Sequence, residues 1–212
     1  MNKMTKIKAG TAAIDATTDA TKAEFDKWFD ERFEFKMKEM AENKTPSMSI
    51  IATKGTLDWA YPPFILASTA AALGWKVSIF FTFYGLLLLK KDVSDMKVTP
   101  VGNPAMPMKM PFGPDWFKNI DWPIPNAVSG NIPGFENMAS GLMRETFKSK
   151  GVASIDELRE ISIEEGVEMH ACQMTVDVFG FTKDDFIDDI TSWCGATSFL
   201  PTASKSDVTL FI

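Results

Sequence analysis

Three kinds of hydrophobic pattern follow one another along this chain, and each predicts a different element. Between residues 21 and 42, Phe25, Trp28, Phe29, Phe33, Phe35, Met37 and Met40 recur among charged residues. Wound at 3.6 residues per turn, most of them share one broad stripe, which predicts a helix over 21–42 that must dock somewhere. The preceding residues 1–20, rich in Thr, Ala and Lys, show no period and read as a mobile tail. The pattern then shortens. Residues 48–53 form a compact apolar run, a buried strand, ended by the turn Lys54-Gly55-Thr56. Asp58 is placed to cap a helix whose first turn tolerates Pro62 and Pro63, and Gly74 stops it. Residues 75–83 are β-branched and aromatic (Val77, Ile79, Phe80, Phe81, Phe83) and predict a second strand. A strand, a helix and a second all-apolar strand make a βαβ unit with a parallel pair. A short return helix is expected over 84–91.

The rhythm breaks over 98–135. Pro100, Pro104, Pro107, Pro111, Pro114, Pro123, Pro125 and Pro133 forbid long regular elements, so this is a long insertion. Insertions of this length are usually functional or form a subunit contact. Helices return over 135–150 and, behind the capping box Ser154-Ile155-Asp156-Glu157, up to Glu165. Gly166 ends that helix, and Val167-Glu168-Met169-His170-Ala171 reads as a short strand running into Cys172. Residues 173–179 fit either continued strand or helix. Thr182-Lys183-Asp184-Asp185 is a helix start, a helical or turn segment surrounds Pro201, and residues 207–212 form a last strand with a buried C-terminus. The predicted organisation is therefore a tail and aromatic helix over 1–45 and an α/β domain over 46–212 interrupted at 98–135.

Charge narrows the partners. A net charge of −6 and a pI near 4.9 argue against nucleic acid. Two cysteines far apart are too few for a disulfide framework, and residues 1–10 lack the apolar core of a signal peptide, so a cytoplasmic location is expected. The run 77–89 is almost wholly apolar but shorter than the roughly 20 residues of a spanning helix, so any membrane contact would be peripheral.

Chemistry-bearing residues are few. His170 is the single histidine, no nucleophile-elbow pattern exists, and Lys54-Gly55-Thr56 offers one glycine where a phosphate cradle needs several. Cys172, Cys194 and His170 form no zinc motif, and Met106, Met108 and Met110 suit an adaptable apolar cover better than a Cu(I) site. No cofactor and no metal are expected. Cys172 remains, read as a sulfur nucleophile at the carboxyl end of a strand, where open α/β sheets keep their reactive groups. Its alternative is a small buried hydrophobe. His170 leaves a regular strand on the same face as Cys172 and either supports the thiolate or hydrogen-bonds within the sheet. Cys194 is a candidate resolving thiol that spacing alone does not bring near Cys172.

The segments 51–91, especially Ile79-Phe80-Phe81-Thr82-Phe83-Tyr84-Gly85-Leu86, and 166–181, with Cys172-Gln173-Met174-Thr175-Val176-Asp177-Val178-Phe179-Gly180, resemble the DsrE/DsrF/DsrH-like family, as do Gly195-Ala196 and residues 206–212. The resemblance covers about 48–212 in order. It implies a Rossmann-like parallel sheet of about five strands flanked by helices, with the N-terminal helix as an extra, assembled as a homo-oligomer. It also implies a sulfur-relay role: Cys172 takes sulfane sulfur as a persulfide or thiosulfonate and passes it to a TusA-like sulfur carrier or rhodanese-like protein, as sulfurtransferase or stoichiometric carrier. The alternative is a non-catalytic oligomeric binding module that uses the aromatic helix and the proline-methionine loop.

Overall fold

The computed structural model describes residues 3–99 and 109–212. The chain divides into two compact units, Met1–Thr45 and Pro46–Ile212. In the first, the helix α1 runs over Lys3–Asn43, so it begins well before the expected residue 21, in the stretch that reads as a tail. Its aromatic stripe is intact and open. Phe25, Phe29 and Phe33 stack at centroid distances of 6.3 and 6.0 Å, and all three remain more than half exposed.

The second unit is built on five parallel strands: β1 (Ser47–Ala52), β2 (Lys76–Phe81), β3 (Glu168–Cys172), β4 (Ser192–Cys194) and β5 (Val208–Phe211). Their order is β4-β3-β2-β1-β5, so the sheet grows outward from β1 in both directions, as in a doubly wound fold. The helices are α2 (Leu57–Ala72), α3 (Asp115–Lys118), α4 (Asn126–Ser129), α5 (Phe135–Ser149), α6 (Ile155–Glu164), α7 (Gln173–Phe179) and α8 (Ala196–Ala203). This is the Rossmann-like α/β architecture, with about five strands and an additional N-terminal helix, that the resemblance implies.

Alternation along the strands sorts side chains onto two faces. Ile50 and Ala52, Ile79 and Phe81, and Met169 and Ala171 point into the main core, which α2 and α6 close with Phe64, Ala67 and Leu158. The α6 capping box forms as expected, Ser154 accepting from the Glu157 N–H and the Glu157 carboxylate from the Ser154 N–H. The opposite face carries Ser49, Ser78, Phe80, His170, Cys172 and Cys194. There α8 packs on β1, and Phe80, Cys172, Phe199 and Ala203 form a small separate cluster.

Several local expectations shift. Thr56, not Asp58, is the α2 N-cap; the Asp58 carboxylate instead accepts from the Thr99 N–H at 3.0 Å. Pro62 and Pro63 therefore lie beyond the first turn, inside the helix. The return helix is a 3-10 turn over Phe83–Leu89, and another short 3-10 turn occupies Lys183–Asp185. Residues 173–179 are helical, and β4 appears where sequence showed no strand period: at three residues it is too short to display one. Among the described residues the last strand pairs only with β1, so alternate residues face outward, and Phe211 is 75% exposed rather than buried. Within the insertion, Phe112, Trp116 and Trp122 gather around Phe117, with Phe112 and Trp116 more than half exposed. Met106 and Met108 lie outside the described residues.

Candidate functional site

Cys172 is the last residue of β3 and the N-cap of α7. The chain leaves the sheet there and coils at once into α7. A thiol in that position is 3% exposed, closed in by Phe80, Phe199 and Ala203. Burial pushes its pKa up. Hydrogen bonds from the hydroxyls of Thr175 and Thr82 and from the backbone N–H groups of Thr175 and Met174 outweigh burial, and the net shift is downward. The thiolate thus gains a cradle of donors although no cation supplies any of it.

The donors are held in place by the loop after β2. Thr175 Oγ1 accepts from the Phe83 N–H at 3.1 Å, so its own hydrogen can go to the sulfur or to Thr82 Oγ1. Thr82 Oγ1 lies 3.4 Å from Thr175 Oγ1. To reach this arrangement Phe83 adopts φ 48°, a left-handed conformation rare for a bulky residue and costing about 1–3 kcal/mol. Two glycines stabilise that contortion. A Cβ on Gly85 would stand 2.1 Å from the Ala52 carbonyl oxygen, and one on Gly55 would stand 2.1 Å from that of Tyr84. Only backbones without side chains allow the two loops to interlock so closely. Arg159 supports the far end of the turn, donating to the carbonyls of Leu88 at 3.2 Å and Lys90 at 2.7 Å.

Sequence reasoning singled out Cys172 and missed Thr82 and Thr175. The signal for Thr175 was its place three residues after a strand-ending cysteine, the position that reaches back over a helix start. Thr82 carried no signal, because β2 and β3 meet only in the folded sheet. His170 does leave β3 on the Cys172 face and packs against Phe199 at 5.5 Å. Its ring nitrogens are engaged elsewhere: Nδ1 lies 2.7 Å from Ser192 Oγ, and Nε2 lies 3.5 Å from Glu168 Oε2. Cys194 is brought next to Cys172. The two are register partners on adjacent strands, both thiols are free, and Cys194 packs against the same small cluster. Among the described residues no group of three His, Cys, Asp or Glu side chains is arranged to hold a metal.

Fold and site together define a class: doubly wound α/β proteins that present a donor-cradled thiol at the carboxyl end of a central strand. The model of the DsrE/DsrF/DrsH-like family matches residues 44–211, and the chain belongs to that family. It is 54% identical over 166 residues to the sulfur carrier protein DsrE2 of Allochromatium vinosum, spanning 78% of this chain and 97% of that protein. It is also 28% identical over 169 residues to the uncharacterized protein YrkE of Bacillus subtilis, spanning 80% of this chain and 98% of that one. Among solved structures, the ychN protein from E. coli is similar with a TM-score of 0.43 and 10% identity, over 79% of this chain and all of that one.

Proposed function

We propose that this protein is a sulfur-relay protein that carries sulfane sulfur on Cys172 as a persulfide or thiosulfonate and delivers it to a TusA-like or rhodanese-like partner. What supports the reading is a buried thiol at the end of β3, its pKa held down by the Thr175 and Thr82 hydroxyls and the Thr175 and Met174 N–H groups, in a chain 54% identical over 166 residues to a protein named a sulfur carrier. Loading follows ordinary exchange chemistry. The Cys172 thiolate attacks the sulfane sulfur of a donor, a new S–S bond forms, and the donor's own sulfur leaves with the electron pair. The same donors then stabilise Cys172 as a leaving group when an acceptor thiol removes the sulfur. In this reading His170 acts at one remove, tying β3 to β4 through Ser192. The protein works in the cytoplasm as a homo-oligomer, without cofactor or metal.

The test is intact-protein mass after exposure to polysulfide, tetrathionate or thiosulfate. Wild type gains sulfur that a reductant removes, and Cys172→Ser gains none at that position. A wild-type Cys172 peptide that stays unmodified under all three donors overturns the reading.

A second reading, a non-catalytic binding module, draws on the exposed aromatic row of α1 and on Met37 and Met40, both at least half exposed. Among the described residues no helix is long and apolar enough to cross a membrane, so peripheral attachment is the form it would take. Co-sedimentation with anionic vesicles, lost when Trp28 and Phe29 become serine, is the result that reading requires.

A further inference from the structure

Cys172 and Cys194 are directly opposed on neighbouring parallel strands, and both side chains belong to the cluster around Phe80 and Phe199. Side chains of such a pair leave the sheet in the same direction, so equivalent atoms stand about one strand spacing apart, ~4.8 Å. An S–S bond is about 2.05 Å long. A sulfur atom bonded to Cys172 and turned along the rung therefore comes within about 3 Å of the Cys194 sulfur, nearly in line with the bond to be broken. The two thiols also differ in depth: Cys172 is enclosed, whereas Cys194 is half-buried on β4, the edge strand of the sheet.

We propose that Cys194 is a second sulfur station: it takes the sulfane sulfur from Cys172 within the same chain and offers it to the acceptor at the edge of the sheet. The inference rests on the reading of Cys172 as the loading site. The Cys194 thiolate forms a bond to the outer sulfur of the Cys172 persulfide. The bond between that sulfur and Cys172 breaks, and its electron pair stays on Cys172, which departs as a thiolate into its cradle of donors. The proton given up by the Cys194 thiol passes to solvent. No atom changes its oxidation level overall, so neither oxidant nor reductant is consumed. The competing attack, on the Cys172 sulfur itself, expels hydrosulfide and leaves a disulfide; it requires the outer sulfur to point away from Cys194 rather than along the rung toward it.

The full-length protein is loaded with polysulfide, desalted, alkylated and mapped by peptide mass. Wild type carries sulfane sulfur on both the Cys172 and the Cys194 peptides. Cys194→Ser, with Cys194→Ala as a second variant, keeps it all on Cys172 and surrenders it to cyanide severalfold more slowly. Cys172→Ser carries none on Cys194. Sulfane sulfur confined to Cys172 in wild type overturns the proposal, as does equally fast loading of Cys194 in Cys172→Ser. So does a Cys172–Cys194 disulfide accompanied by released sulfide. If neither wild type nor the Cys194 variants load Cys172 at all, the carrier reading itself fails, and this proposal falls with it.

Discussion

The two faces of one sheet have been put to different uses. On the first, Ile50, Ile79 and Met169 are fully buried in the main hydrophobic core that α2 and α6 close. On the second, the same three strands present Ser49, Ser78 and Phe80, His170 and Cys172, with α8 packed on β1. Ser49 bonds Ser78 at 3.1 Å and Ser206 at 2.7 Å, so even its fully buried hydroxyl is satisfied. A strand buried on both sides by apolar groups can only stabilise. A strand with one hydrocarbon side and one hydrogen-bonding side can hold a reactive sulfur rigidly without spending the core to do it. Two residues of β3 that are neighbours in sequence, Ala171 and Cys172, thus belong to different clusters, the first structural and the second chemical.

Substitutions on either face test this division. Met169→Ala empties a fully buried site on the hydrocarbon face and costs about 2–5 kcal/mol of stability, read by chemical denaturation. The fraction that remains folded still takes up sulfur at Cys172 at the wild-type rate. Equal loss of uptake and of stability would mean that the faces are not separable. Gly85→Ala acts where the loops at the carboxyl edge interlock. The new methyl collides with the Ala52 carbonyl, costs about 1–3 kcal/mol, and slows Cys172 alkylation by pulling Thr82 and Phe83 out of place. Stability lost without any change in alkylation would dissociate the turn from the site.

The smallest effect belongs to Thr175→Val, which keeps the shape and removes the hydroxyl. The donors favour the thiolate and lower the pKa of Cys172, so its alkylation rate should level off at a lower pH than that of an ordinary cysteine. Removing one donor shifts the balance toward the thiol: the plateau moves to higher pH, and alkylation near neutral pH slows severalfold. Because Thr175 Oγ1 also accepts from the Phe83 N–H, about 1 kcal/mol of stability is lost as well. An unchanged pH profile would remove Thr175 from the cradle.

The first face was the easier to read from residues alone. Val77, Ile79 and Phe81 stand out because a buried strand leaves an uninterrupted apolar run, and the α6 cap is legible because Ser154 and Glu157 complete it within four residues. Cys172 was recognisable for a similar local reason, being a thiol where a strand ends and the chain turns. By contrast, β4 could not be read, since three residues carry no period and its strand character comes entirely from pairing with β3. The half-exposed β5 also departed from expectation, because edge position is a property of the sheet and not of the strand.

Local order, then, was decided by the chain: where apolar residues cluster, where glycine and proline interrupt them, and where a lone sulfur follows a strand. Those are interactions among residues a few positions apart, so their imprint lies in neighbouring letters. What surrounds that sulfur was decided by the fold. Thr82 reaches it from 90 residues upstream and Cys194 from 22 downstream only because β2, β3 and β4 lie side by side in parallel register. Strand order and register are settled by burying the whole hydrocarbon face at once, a collective free energy that no single segment contains.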